Sequence, residues 1–245
     1  MALFAATIIG RAHRRQGRGS QDAWAVGGAA DAWIAAVADG CSAGRGTELG
    51  AAVGARTAVA SAARHRATGA ALADLPALVI PDVVAEVRRL ARGMATDAAD
   101  VARVIEEALL FTVHVAVTAG RECVVFGVGD GVISIDARAH VIDQGDAPDY
   151  PAYALFPDMA PPRVLVHHLG AFTSIAICTD GARELVERAH EPIADGSDVG
   201  GLAFFERDER FARNPSLAQK RLLSWCEATG GSVDDCTLVV LRGPA

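Results

Sequence analysis

Three apolar runs in this 245-residue chain stop at the same pair of residues: "WIAAVADG" at Asp39-Gly40, "VVFGVGDG" at Asp130-Gly131 and "SIAICTDG" at Asp180-Gly181. Taken singly, Asp-Gly is a favoured pair for tight hairpin turns, and Asp195-Gly196, in a polar stretch, reads as such a turn. The other three differ in context. Each follows a run apolar enough to be a buried strand, which places its carboxylate at the rim of a packed sheet and not at a remote loop tip. A fourth acidic pair, Asp234-Asp235, opens the apolar run "CTLVVLR". If neighbouring strands alternate in direction, the end of one and the start of the next share a rim, and these carboxylates converge.

Carboxylates gathered in this way raise one another's pKa unless cations lie between them. Oxygen ligands without His or Cys suit hard ions such as Mg²⁺ or Mn²⁺. A glycine after the aspartate lets its own backbone carbonyl approach an ion closely. Two ions roughly 3.5 to 4 Å apart share an activated water and clamp the oxygens of a phosphoryl group. The pattern therefore predicts a binuclear hydrolytic centre, a reaction class without a substrate.

The rest of the chain fits around those runs. Ala2 to Ile9 and Asp31 to Ala38 read as buried strands, with Ala23 to Val26 a shorter one between them. Small apolar residues at helical spacing, a leading Thr and a basic last turn predict a helix from Thr47 to about Ala67. A second helix is expected from Pro81 to about Gly93, continuing through Thr96 to Glu107. The β-rich runs "LFTVHVAVTAG", "ECVVFGVGDG", "VISIDARAHVID", "PRVLVHHLG" and "FTSIAICTDG" follow, then a helix over Asn214 to Gly231 and "CTLVVLR" as the last strand. Proline-rich residues from Tyr150 to Pro162 and a polar stretch from Glu191 to Gly201 are expected as loops over a site. This order is not the βαβα alternation of a doubly wound sheet. It suits a layered α+β architecture, and the length fits one domain over residues 1–245.

Composition removes several function classes. A net charge of −7 argues against a surface built to neutralise nucleic-acid phosphates, and the basic cluster "RAHRRQGR", Arg11 to Arg18, reads equally as a solvated loop or an anion contact. Five cysteines without a C-x-x-C pair signal neither a disulfide framework nor a zinc knuckle, and fit a reducing cytoplasm. No run reaches the roughly 18 apolar residues of a membrane span, so no membrane partner is expected.

In order along the chain, "GRAHRRQGRGSQDAW", "AAVADGCSAGRGTELGAA", "CVVFGVGDGVISID", "AICTDGARELV" and "GGSVDDCTLVVL" resemble the metal-dependent protein phosphatases of the PP2C type, in particular a divergent bacterial branch. The resemblance implies a four-layer α-β-β-α sandwich of two antiparallel sheets flanked by helices, with the metals at one end. It implies hydrolysis of phosphoserine and phosphothreonine on proteins, with two Mn²⁺ or Mg²⁺ ions. Carried over residue by residue, Asp39 resembles the ligand bridging both ions and Gly40 offers its carbonyl to the second; Asp180 and Asp234 resemble the other ligands of the first. Asp22 is similar to the early aspartate that orients water near the second ion, giving it and Asp39 the catalytic roles. Asp130 is similar to an aspartate associated in some members with a weaker third metal, and Asp235 to a neighbour of the ligands. A phosphorylated protein, with a cognate Ser/Thr kinase, is the partner so implied, and the chain is expected to be a monomer.

The chain also departs from the pattern. Many members carry an Arg five residues before the early aspartate to hold the substrate phosphate; here that residue is Gly17, Arg18 is the nearest candidate, and Arg14 or Arg15 would also serve. Cys41 and Ser42 follow the first Asp-Gly where relatives have a small residue and Gly; Cys41 reads as a packed small residue or a redox-sensitive thiol. His13 is either a surface residue or a catalytic acid, and His114 a satisfied sheet residue. His167 and His168 point to opposite faces of a strand and share no metal. These departures leave open a rival expectation, a PP2C-like regulatory or binding module with weak or no catalysis.

Overall fold

The computed structural model describes residues 2–29, 32–145, 147–189, 201–230 and 232–243. In chain order, strand β1 (Ala2–Ile8) is followed by helix α1 (Arg11–Gln16), β2 (Asp22–Ala29) and β3 (Ala32–Gly40). Three helices come next, α2 (Thr47–Ala67), α3 (Leu75–Met94) and α4 (Val101–Ala108). Then β4 (Phe111–Ala119), β5 (Glu122–Val128), β6 (Gly131–Ile135), β7 (Arg138–Ile142), β8 (Leu165–Ala171) and β9 (Ser174–Cys178) run without an intervening α-helix. Four helices, α5 (Arg183–Glu187), α6 (Gly201–Arg207), α7 (Glu209–Arg213) and α8 (Ser216–Ala228), precede the closing strand β10 (Cys236–Arg242).

The strands form two five-stranded sheets, ordered β1-β10-β9-β6-β7 and β2-β3-β4-β5-β8, and every neighbouring pair is antiparallel. The alternation of side chains along each strand builds the layers. On β3, Ile34, Ala36 and Ala38 pack towards the helices α2 and α3, whereas Ala35 and Val37 face the other sheet. On β10, Leu238 and Val240 pack under α6 and α8, and Val239 and Leu241 meet the opposite sheet. The result is the four-layer α-β-β-α sandwich expected from the sequence. Among the described residues, no helix is long and apolar enough to cross a membrane.

The segment α2 spans Thr47–Ala67 as the sequence predicts; six of its nine buried residues are Ala or Gly, which lets the helix lie close on β2 and β3. Other boundaries need correction. Helix α3 begins at Leu75 and runs through Pro81 instead of starting there, because Pro76 takes the early helical position where no N–H is needed. It does not continue through Thr96: Ala95 is extended, Asp97 and Asp100 accept backbone N–H bonds that make a turn, and α4 starts afresh at Val101. The basic residues from Arg11 form helix α1 instead of a solvated loop, and His13 within it is buried. The turn expected at Asp195-Gly196 and the excursion from Glu191 to residue 200 lie outside the described residues, as does Asp31.

Candidate metal centre

The alternation that packs Ala35 and Val37 between the sheets puts Asp39, at the end of β3, on the same inward face. Asp22 opens β2 directly opposite Asp39 in the ladder, so two carboxylates sit side by side on one sheet. On the other sheet, β9 and β10 are antiparallel neighbours, which brings Asp180, just past the end of β9, beside Asp234, just before β10. Asp130 lies in the turn joining β5 to β6. Both sheets thus contribute to one rim.

At that rim Asp39, Asp130, Asp180 and Asp234 line a cleft of about 240 Å³, with the Gly40 backbone among its walls. Gln21, Cys41, Thr112 and Tyr150 are also among its lining residues. Asp130 and Asp180 also line an adjoining lobe of about 370 Å³ whose other side holds Asp143 and Arg183. The Asp-Gly glycines at this rim are needed for close approach. A Cβ on Gly40 would stand 2.8 Å from the Thr47 carbonyl at the start of α2, and one on Gly181 would run into the backbone carbonyl of Asp235.

Burial pushes the Asp39 carboxyl well above its ordinary range, and the charges of Asp22, Asp180 and Asp234 push it further. Asp180 is raised by burial and by Asp234. Asp22 is pushed up to about 8, chiefly by burial, although its Oδ2 accepts a 2.8 Å hydrogen bond from Thr179 Oγ1. Asp130 rises to about 6 from burial and the nearby Asp180. Three acceptors here are buried without a hydrogen-bond partner: Asp22 Oδ1, Asp180 Oδ1 and Gln21 Oε1. Buried acceptors and raised carboxylates of this kind are costly unless a cation completes them, and an all-oxygen donor set fits a hard divalent ion. The residues present therefore fit the metals that the sequence implied.

The structure also sorts the remaining candidates. Arg18 Nη2 donates to the Gly44 carbonyl at 3.1 Å, in the loop between β3 and α2, and Arg14 Nη2 reaches Cys226 Sγ on α8 at 3.7 Å. The arginine brought beside the acidic residues is Arg183, on the first turn of α5, ion-paired with Asp143. Nothing in the sequence pattern singled it out, since it follows its Asp-Gly as an ordinary first helical residue. His168 Nε2 hydrogen-bonds with the Ala171 carbonyl at 3.0 Å, and the His167 ring lies 5.4 Å from that of His114. The strict alternation expected of this pair fails, because the β5–β8 register shifts between Val125 and Phe126 and sets His168 opposite Val125, a residue of the layer between the sheets.

His13 is neither on the surface nor in the cleft wall: its Nδ1 lies 2.9 Å from Asp235 Oδ2. The same carboxylate accepts from Gly10 N at 2.7 Å and Gln21 N at 2.6 Å. His13, Asp234 and Asp235 bring ligand atoms within 4.8 Å of one another. With both Asp235 oxygens already taken by N–H groups, however, Asp235 acts as a clamp tying α1 and the start of β2 to the Asp234 loop. Gln21, held at its Nε2 by Thr47 Oγ1 at 2.6 Å, is a cleft residue that the sequence reading missed. It was hidden because its partners lie far away along the chain.

A family model described as protein phosphatase 2C matches residues 9–223. Among solved structures, the fold is similar to the serine/threonine phosphatase Stp1 from Staphylococcus aureus, with a TM-score of 0.60 at 11% identity, covering 100% of this chain and 96% of that one. It is similar to the S. agalactiae serine/threonine phosphatase at a TM-score of 0.57 and 15% identity, covering 99% of both chains. The PP2C phosphatase domain with a regulatory-domain fragment of SpoIIE from Bacillus subtilis gives a TM-score of 0.51 at 15% identity, covering 99% of this chain and 63% of that one. Identities this low carry the likeness of fold alone. A comparison with curated protein sequences finds no match.

Proposed function

Because the chain belongs to the protein phosphatase 2C family, we propose that it hydrolyses phosphoserine and phosphothreonine monoesters on proteins at the acidic cleft, with divalent Mn²⁺ or Mg²⁺ held by its carboxylates. The observation that carries this reading is the convergence of Asp39, Asp130, Asp180 and Asp234 from both sheets on one cleft, with Asp180 Oδ1 buried and unpartnered.

Asp39, Asp180 and Asp234 would hold one ion, Asp39 with the Gly40 carbonyl a second, and Asp130 a weaker third. Bound there, such ions neutralise the phosphoryl oxygens and activate the attacking water. The chain's own groups supply the rest. Thr179 fixes Asp22 through Oδ2, which leaves Oδ1 as a free acceptor able to orient the proton of a water beside Asp39. As water attacks phosphorus, one P–O bond forms while the bond to the Ser or Thr oxygen breaks, and the departing oxygen takes up the proton that the water gives up. Arg183, which lines the adjoining lobe, would meet an anionic substrate at the edge of the cleft, a contact for which the sequence offered Arg18. The small volume of the main lobe suits a phosphoryl group on an extended side chain, with Tyr150 as a wall.

A kinase that phosphorylates Ser or Thr on the same protein must supply this substrate. The described cysteines are free, and four of the five are buried, which suits a reducing cytoplasm.

The test is hydrolysis of p-nitrophenyl phosphate and of a phosphothreonine peptide with Mn²⁺, with Mg²⁺ and with EDTA, beside Asp39→Asn. The expected result is turnover with either ion, none with EDTA, and turnover lowered by on the order of a hundredfold or more in the variant. Folded protein that turns over neither substrate with any ion would instead indicate a binding module.

A further inference from the structure

On β4, Thr112 and His114 face the other sheet, while Val113 and Val115 pack towards the helices. His114 is 1% exposed and takes no part in the chemistry above. Its Nε2 lies 2.7 Å from the backbone carbonyl oxygen of Asp130. A carbonyl only accepts, so Nε2 carries the hydrogen and Nδ1, which is buried without a partner, is the bare nitrogen. Burial pushes the ring's pKa down to about 4, consistent with a neutral imidazole bearing one N–H.

The turn that carries Asp130 is moulded on these two side chains. A Cβ on Gly131 would stand 2.6 Å from His114 Nε2, and one on Gly127 would overlap His114 Nδ1. Gly129, in the left-handed region at φ +95°, would bring a Cβ 2.5 Å from Thr112 Cγ2. Every second residue of "GVGDG" is thus glycine because Thr112 and His114 occupy the space beneath. The Asp130 carboxylate projects from this turn at the boundary of the two lobes, and lines both.

We propose that His114 is a positioning residue for Asp130: its Nε2–H bond to the Asp130 carbonyl fixes the turn that presents the carboxylate to the cleft, and so sets the affinity of the weakest divalent-ion site. This rests on the metal-centre reading above. A His114 that merely filled space would be replaced without loss by an apolar side chain of similar size.

The experiment uses the full chain, counting bound Mn²⁺ by electron paramagnetic resonance and following amide hydrogen exchange of residues 128–132 in EDTA. His114→Met is expected to speed exchange in the turn and to weaken the last Mn²⁺ by at least about tenfold, the usual effect of losing an outer-shell partner. The tighter Mn²⁺ remains bound in that variant. His114→Gln, whose amide N–H stands where Nε2–H did, is expected to recover both properties. Asp130→Asn loses the same ion, and the double variant loses nothing further. Should His114→Met fail to fold, His114→Asn, polar but too short to reach the carbonyl, takes its place against His114→Gln. Wild-type Mn²⁺ binding in His114→Met, no recovery in His114→Gln, or Mn²⁺ binding untouched by Asp130→Asn would each overturn the proposal. If the wild-type chain binds no Mn²⁺, the metal-centre reading itself falls. Mn²⁺ binding that Asp39→Asn abolishes and His114→Met leaves intact sinks only the role of His114.

Discussion

At the scale of single residues, the rim aspartates behave unlike the carboxylates that stabilise most folded proteins. Asp22 and Asp39 have pKa values raised on folding, by burial first and then by their acidic neighbours. Without ions the folded chain therefore keeps protons that the unfolded chain releases above about pH 4. The sign follows: these groups cost nothing below that pH, and stability falls as pH rises through about 8, where Asp22 is half ionised, and goes on falling while Asp39 keeps its proton. In EDTA, the urea midpoint should drop between about pH 5 and about pH 8, and Asp39→Asn should flatten that drop. The same substitution should lower kcat/KM with Mn²⁺ by on the order of 10²–10³-fold or more, the loss expected when one preorganised charged group is removed. A wild-type midpoint that does not move with pH would contradict the raised pKa of these buried aspartates. Asp39, Asp130, Asp180 and Asp234 were legible in the sequence because each ends or opens an apolar run, and Asp22 only through the resemblance. The Asp235 clamp was not, since its donors Gly10, His13 and Gln21 lie more than 200 residues away along the chain.

At the scale of elements, the site depends on how closely α2 lies on the second sheet. Phe111 pairs with Gly40 across β3 and β4, and its ring fills the space where Gly54 of α2 has no side chain. A Cβ at Gly54 would stand 2.5 Å from Phe111 Cζ. Gly54→Ala should therefore destabilise by about 1–3 kcal/mol as an overpacked contact, despite the better helix propensity of alanine. It should also weaken Mn²⁺ binding, because Phe111 would press on the strand end that carries Asp39. A stabilised Gly54→Ala protein would mean that α2 can shift freely. Pro81 gives the opposite case. It sits exposed inside α3 and cannot donate a helical N–H bond, so Pro81→Ala should raise stability in urea unfolding by up to about 3 kcal/mol. Helix α2 was legible at both ends because its periodicity is long, whereas α1, with 6 residues, is too short to show one. The start of α3 was not legible because proline suits a first helical turn, and Pro76 and Pro81 compete for that position.

At the scale of the whole molecule, the two sheets meet through an apolar layer of Ala35, Val37, Ile175, Ile177 and Val239 that ends at the acidic rim. There the contact changes character: Asp22 and Asp39 on one sheet face Asp180 and Asp234 of the other, and like charges replace hydrophobic attraction. The layered fold could be read from the order of strands and helices. That opposing sheets share the rim came only through the resemblance, because strand order alone does not say which strands stack. An ion ligated from both sheets binds only the folded chain and acts as a staple. At a free ion concentration 100 times its Kd, such binding adds about 2.7 kcal/mol. For a chain of this size, at about 2–4 °C per kcal/mol, that corresponds to a rise in Tm of about 5–10 °C. Saturating Mn²⁺ should produce that rise in one cooperative transition and slow amide exchange at the ends of both β3 and β9. Asp180→Asn, which leaves the ligands of one sheet intact and weakens those of the other, should lose most of the shift. If Mn²⁺ slows exchange at β3 but leaves β9 unchanged, the ion is held by one sheet alone, and the rim is not where the two halves of the sandwich are joined.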